Sequence, residues 1–467
     1  MTPDGARLAL EVSRTGQPRP GRDGRARRRI AIVGSGIAGL GAAWLLHRDN
    51  DVTVFEAALH VGGHAHTVEA APGGTAVPVD LGFIVYNERN YPNLTRLFKA
   101  IDAPTVTSEM SFAVSARGGQ FEYRGSTRGL FLEQPSNLVR LHAWRLARDI
   151  LRFYRAAPAL LASADPALTL GECVARGGYS EAFIDDHLLP MGAAIWSTSP
   201  GRMLEFPALS FLGFCANHGL TTLLGRPRWR TVNGGAREYV RRLIRPFADR
   251  IHTDRAVISV LRQADGVLVR DRHGRVERFD EVVLAGHANQ SLTLLGADAT
   301  LTEQQTLSAF KYERNFATLH TDKSLMPKNR AIWAGWNYIS QSDEAGARNA
   351  SVTYWMNRLQ RLKTRAPLFV SLNPAREPAP GTELHRITCD HPSFDRAALL
   401  AQASLPVIQG TNHTWFAGSY CGHGFHEDGL AAGFAVAAAL GSPAPWAGSF
   451  DEVSPAADVA TQIAVSR

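Results

Sequence analysis

The residues best suited to chemistry are gathered early in the chain. Gly34-Ser35-Gly36-Ile37-Ala38-Gly39 forms a G-x-G-x-x-G run, and Glu56 stands 22 positions after Gly34. Each glycine has its own physical task. Gly34 permits a tight turn, Gly36 lets the backbone approach a pyrophosphate, and Gly39 lets a helix pack closely on a strand. A helix opening at that point offers free N–H groups and a positive dipole end to phosphate oxygens. A carboxylate at Glu56 can accept from ribose hydroxyls. The chemistry is dinucleotide binding. For proton transfer the first choice is histidine, which titrates nearest neutral pH; the candidates are His66, His218, His320, His423 and His426.

The elements around the loop are those the chemistry requires. Arg29 to Val33 reads as a short strand of β-branched residues, Leu40 to His47 as a helix, and Val52 to Phe55 as a second strand ending at Glu56. A glycine run alone is weak evidence; strand, glycine loop, helix, strand and acid in this order are specific. Arg27-Arg28-Arg29 followed by the apolar run Ile30 to Leu46 superficially resembles a signal or membrane anchor. That run holds Gly34, Gly36, Gly39 and Gly41, and no cleavage pattern comes after it. No transmembrane segment is expected elsewhere.

Length and composition set the frame. The chain has 467 residues, 45% of them apolar, enough for a cofactor domain and a substrate domain. Its formal net charge is +7, yet residues 1–29 carry eight arginines against Asp4, Glu11 and Asp23. That segment is expected to be a disordered basic tail, which leaves the body nearly neutral and argues against a nucleic-acid partner. The four cysteines, Cys173, Cys215, Cys389 and Cys421, show no C-x-x-C spacing. Neither a metal site nor a disulfide framework is expected, and the cytoplasm is the expected compartment.

Beyond Glu56 the chain resembles the flavin amine-oxidase and phytoene-desaturase superfamily. The residues that carry the likeness are Val61-Gly62-Gly63-His64-Ala65-His66-Thr67, the Asp80-Leu81-Gly82 turn, Asn233-Gly234-Gly235, Trp415-Phe-Ala-Gly418, Glu427-Asp428-Gly429 and Ala431-Ala-Gly433. The resemblance implies an α/β fold: a discontinuous Rossmann-type FAD domain (30–95, 232–295 and 410–445) and an inserted α+β substrate domain (96–231 and 296–409). A C-terminal tail begins at 446. It implies non-covalent FAD held by Gly34, Ser35, Gly36, Ile37, Ala38, Gly39, Glu56, Gly62, Gly63, His64, Thr67, Val257, Gly418, Glu427, Asp428 and Gly429. Among the histidines it puts His426 and His423 first, because the family's corresponding loop lies by the flavin ring, with His320 third. The sequence departs from the family at His64, where an arginine is common. It also departs on the strand from about Tyr312 to Thr321, where no lysine falls at the amine-oxidase position; Lys311 precedes the strand, and Asn315, Thr318 and His320 lie along it.

Val79 to Leu94, Ser108 to Phe112 and Gly424 to Gly429 resemble a group of bacterial FAD-binding oxidoreductases. They also resemble the oxidase domain fused to plant cyclopropane fatty acid synthases. That likeness implies a lipid acyl substrate oxidised or desaturated by hydride transfer, and a lipid-modifying enzyme as partner. The rival expectations are an amine oxidase releasing peroxide, a non-catalytic flavin-bound partner of such an enzyme, and an isomerase working through transient flavin reduction. Ser136 to Arg155 reads as a basic amphipathic helix, with Val139, Leu146, Ile150 and Phe153 on one side and Arg140, Arg145, Arg148, Arg152 and Arg155 on another. Such a helix suits either a surface packed on the substrate domain or peripheral contact with the inner face of a membrane.

Overall fold

The computed structural model describes residues 27–447, except 126, 164, 166–167, 197–199, 222–226 and 343–347. The expected basic tail up to residue 26, and the chain beyond 447, lie outside the described residues.

The dinucleotide segment folds as its sequence demands. Strand β1 (Arg29–Val33) runs into the glycine loop, helix α1 spans Ile37–Leu46, and β2 (Asp51–Phe55) returns parallel to β1. Two later segments complete the sheet. Strands β3 (Ile251–His252), β4 (Glu281–Leu284) and β5 (Thr414–Phe416) join it in the order β3-β2-β1-β4-β5, all parallel. Parallel strands buried on both faces need continuous apolar sequence, which Ile30-Ala31-Ile32 and Val282-Val283-Leu284 supply.

Three more helices bear on the site and its surroundings: α2 (Pro92–Ala100), α3 (Leu141–Ser163) and α4 (His426–Ala439). Helix α4 lies against α1 at glycine-to-backbone distance. A Cβ on Gly433 would meet the Ala38 carbonyl oxygen at 2.2 Å, and one on Gly41 would meet the Leu430 side chain at 2.6 Å. Glycine is required at Gly433, where backbone meets backbone; at Gly41 it leaves room for the Leu430 side chain.

The substrate domain is built on a seven-stranded sheet among the described residues. Its order is Glu383–Ser393, Lys311–His320, Phe369–Leu372, Arg348–Trp355, Trp336–Ser342, Phe112–Ala116 and Phe121–Arg124. The two inserts are joined by one parallel pairing, Trp336 to Ile339 against Phe112 to Ser115. Helices between residues 127 and 217 cover one face and form an aromatic-rich core around Phe153, Phe183 and Phe211. Asp80 ties the two domains. Its buried carboxylate accepts from the Thr67 hydroxyl, the Ala236 N–H and the Gln360 side-chain amide.

Some boundaries differ from the sequence expectation. Arg27, expected within the tail, is held to the folded chain: its guanidinium donates to the His47 and Asn50 carbonyls, and unsatisfied carbonyls at a helix end attract such a donor. Trp446 packs on Trp44 and Phe434 and does not belong to a tail. Helix α2 belongs to the cofactor core through Leu97 and Phe98. Leu307 and, in the helix Arg396–Ile408, Leu405 pack with Val282 and Phe416 on the cofactor side. Ile251–His252 and Val257–Gln263 are separate strands. Asp254 takes a positive φ of 58°, and Val257–Gln263 opens a separate antiparallel sheet. No described helix is long and apolar enough to cross a membrane.

Candidate active site

A single continuous cavity of about 1460 Å³ runs from the glycine loop into the face of the substrate sheet. An ordinary ligand pocket holds ~300–1,000 Å³, so there is room for a dinucleotide and a second molecule.

One arm is lined by Gly34, Ser35, Gly36, Ile37, Ala38, Glu56, Gly63, His64, Val257, Gly418 and Gly429. The local geometry fits a dinucleotide. Helix α1 starts at Gly36 with no side-chain cap, and a Cβ on Gly36 would meet nothing within 4 Å, so the helix end opens on space. Gly63 backs onto that turn, where a Cβ would lie 3.0 Å from the Gly36 Cα. Glu56 is held at the end of β2: one carboxylate oxygen accepts from the Ser35 N–H (2.9 Å) and hydroxyl (2.5 Å), the other from the Ala58 N–H (2.8 Å). A carboxylate fixed by three donors is a rigid acceptor for a ribose.

Five of the expected cofactor residues stand elsewhere. Gly39 and Gly62 support the loop from behind. A Cβ on Gly39 would meet the Gly34 carbonyl at 2.0 Å, and the Gly62 N–H donates to the Ser35 carbonyl. Thr67 is spent on Asp80 and on the Arg237 N–H. Glu427 does not face the cavity; its two oxygens accept from the Asn93 and Leu94 N–H groups (2.8 and 3.0 Å) and cap α2. Asp428 accepts from the Phe425 N–H at the start of its own helix. A carboxylate near a helix N-terminus satisfies orphan N–H groups whether they belong to its own helix or to a neighbour.

The second arm is walled by rings. Phe425, Phe214 and His218 stack in series, with centroids 4.9 and 3.8 Å apart, and Trp196, Trp229, Trp336 and Tyr354 complete the wall with Met191, Ile195, Val370 and Leu372. The acids lining the whole cavity are Glu56 and Asp390, neither of them among these rings, and no lysine lines it among the described residues. Lys311 pairs with Asp395 at the surface, and the strand Lys311–His320 presents Arg314 and Ala317 to the cavity.

Where the arms meet, three histidines converge from three elements: His64 from the loop after β2, His287 after β4, and His391 on the strand Glu383–Ser393. His64 lies 5.6 Å from His391 and 6.5 Å from His287, centroid to centroid. His64 sits deep in the molecule yet opens onto the cavity. Burial pushes His391 down to about 3 and His287 to about 4, with repulsion from its neighbours adding to both; burial also lowers His64, against the pull of Asp390. All three are neutral at pH 7. His287 stacks on Tyr312 at 4.3 Å, and its Nδ1 is buried with no hydrogen-bond partner.

The expected histidines fare differently. His423 lines the cavity. His426 also borders it, but stacks on Phe83 (4.0 Å, 11°) and shares a hydrogen bond of 2.6 Å with Tyr239, so its ring is fixed in the cofactor core. Burial pushes it down to about 3. His320 is a correction: it is fully buried in the substrate sheet, bonded to the Ser371 hydroxyl at 2.8 Å and away from the cavity. Sequence reasoning missed His287 and His391. His287 follows β4, the parallel strand beside β1, and that position is the one available signal.

A parallel sheet with a glycine-rich loop, opening into a second domain's apolar chamber, defines a dinucleotide-dependent oxidoreductase. The chain belongs to the flavin containing amine oxidoreductase family, whose family model matches residues 37–350, and it is an FAD-dependent oxidoreductase. Solved structures with this fold include cyclohexylamine oxidase from Brevibacterium oxydans (TM-score 0.64, 17% identity, covering 89% of this chain and 98% of that one). Putrescine oxidase bound to putrescine aligns with TM-score 0.63 at 15% identity over 89% of this chain and 99% of that one. A fatty acid isomerase from P. acnes aligns with TM-score 0.62 at 15% identity over 87% and 97%. No curated protein sequence matches the chain.

Proposed function

We propose that the protein oxidises a lipid acyl chain, drawn into the ring-walled arm, by removing two hydrogens from adjacent carbons. The observation that carries this reading is the second arm itself: aromatic and aliphatic, without a lysine or a carboxylate among its rings. A protonated amine entering it would leave water without a counter-charge, whereas an alkyl chain gains by the transfer. FAD would be held by Gly34 to Ala38, Glu56, Gly63, His64, Val257, Gly418 and Gly429, and when bound it supplies the two-electron acceptor. The protein's own part is to exclude water, to align the chain, and to take the proton lost from the neighbouring carbon. His391 and His287, at the junction of the arms, are the candidate acceptors by position, and burial makes each a weaker base than a free imidazole. The likeness of the fold to a fatty acid isomerase is consistent with an acyl ligand.

Amine oxidation is the second reading, favoured by family membership and by the two amine oxidases of the same fold. Anaerobic incubation of the flavin-loaded protein with a phospholipid extract separates the readings, with flavin absorbance followed first and acyl masses second. Bleaching with loss of two hydrogens from one acyl species is the expected result. An altered lipid of unchanged mass identifies an isomerase. Bleaching by putrescine or cyclohexylamine and not by lipid overturns the proposal in favour of an amine oxidase.

A further inference from the structure

The outer face of α3 and the turn that leads into it, Pro135–Val139, combine exposed apolar side chains with arginines. Of the fourteen exposed large hydrophobics among the described residues, six fall between Leu132 and Leu151. Single exposed apolar residues are ordinary, but a cluster of this kind marks a binding surface. Val139 is 89% exposed, Leu132 67%, Leu141 63% and Trp144 52%. Trp144 is held in place: its indole N–H donates to the Leu138 carbonyl (2.9 Å), and its ring lies 4.6 Å from Phe131. The inward face, with Leu146 and Phe153, is fully buried, so the helix is anchored.

Arg145, Arg148, Arg152 and Arg155 lie on the same exposed side, three and four residues apart. The one acid between residues 134 and 164 is Asp149; it is buried and already bonded to Arg148 and Arg152. Arg145 and Arg155 have no carboxylate partner among the described residues. The charge of this face is therefore left to something outside the chain.

We infer that this face docks on an anionic lipid bilayer. Guanidinium groups bind headgroup phosphates as forks, while Val139, Leu141 and Trp144 leave water for the interface of headgroups and acyl chains. A nucleic acid would use the arginines and gain nothing from exposed leucine and valine. The inner side of the same helix carries Tyr154, which lines the cavity beside His187. Docking would hold the bilayer about one helix diameter, ~10 Å, from the ring-walled arm. This step goes beyond the acyl reading and is tested without turnover.

The test is pelleting of flavin-loaded, full-length protein with phosphatidylcholine vesicles, with or without phosphatidylglycerol, at low salt. Binding should require phosphatidylglycerol and weaken as salt is added. Arg145→Gln with Arg155→Gln should lower partitioning about 30-fold, roughly five-fold per arginine near an anionic surface. Val139→Asp should also weaken it, with flavin absorbance and Tm unchanged in both variants. Absence of phosphatidylglycerol-dependent pelleting overturns the inference. So does binding untouched by either variant, since the arginine-rich N-terminal segment would then carry it. Sensitivity to the arginine changes alone also overturns it, because simple charge attraction suits an acidic protein or a nucleic acid equally.

Discussion

At the scale of single residues, two glycines three positions apart answer to different constraints. Gly36 faces open space at the head of α1, and Gly39 is pressed on the Gly34 carbonyl. Gly36→Val should fold with an unchanged Tm and emerge without flavin, read as lost visible absorbance at normal yield. Gly39→Ala should lose roughly 3 kcal/mol or fail to fold, since the new methyl must displace backbone. Equal behaviour of the two variants would refute the distinction. This part of the site was legible in the sequence because every piece of it lies within thirty residues of the next. The carboxylates at Glu427 and Asp428 stand off the cavity lining, on backbone N–H groups, for a physical reason. A motif shows that an acid stands beside N–H groups, but not whether those groups belong to a helix or leave room for a ligand.

At the scale of elements, Glu427 makes the link between α4 and α2. Glu427→Ala should cost about 1–2 kcal/mol, as loss of a helix cap does, while flavin stoichiometry stays at the wild-type value. Thermal unfolding with a flavin titration checks both halves, and flavin lost at unchanged Tm would restore Glu427 to the cofactor site. The three histidines of the junction show what sequence cannot display. His64, His287 and His391 are separated by more than 100 residues at each step and meet only because β2, β4 and the strand Glu383–Ser393 end at the same cavity. The strands were readable from β-branched and aromatic alternation; their order was not, since the pairing of Trp336 with Phe112 joins residues 224 apart in the chain.

At the scale of the molecule, buried titratable groups set the response to acid. His66, His218, His287, His320, His391 and His426 are pushed down to about 3 or 4, chiefly by burial. Between about pH 4 and 6.5 the unfolded chain binds protons at these sites that the native state refuses, so their stability is present above 6.5 and is lost as pH falls. Burial raises Asp80 and Glu427 to about 7, and raises Asp428 as well; these three act in the opposite sense, losing stability as pH rises toward 7. Six sites outweigh three. The Tm of flavin-free protein should therefore climb from about pH 4.5 to 6.5, and His391→Gln should flatten the climb; a Tm that falls over this range would contradict the balance. The cavity gives a second prediction at this scale. Ala194 lines the ring-walled arm, and Ala194→Trp should shorten it. Turnover of long acyl chains should drop at least tenfold, a loss of ~1.4 kcal/mol or more, with short chains and the flavin spectrum little changed. Equal loss for every chain length would count against an arm that measures the substrate.

The contact of Gly433 on Ala38 has a consequence for how the protein is made. The ribosome delivers α1 long before α4, yet the floor of the dinucleotide arm needs both. Until α4 has emerged the glycine loop stands without Gly429, and the apolar side of α1 lacks its cover. Flavin capture is thereby postponed until α4 has emerged, so the cofactor follows the joining of α4 to α1 and does not seed it. A truncation that removes α4 should yield a colourless chain with an exposed α1, a natural substrate for chaperones and proteases.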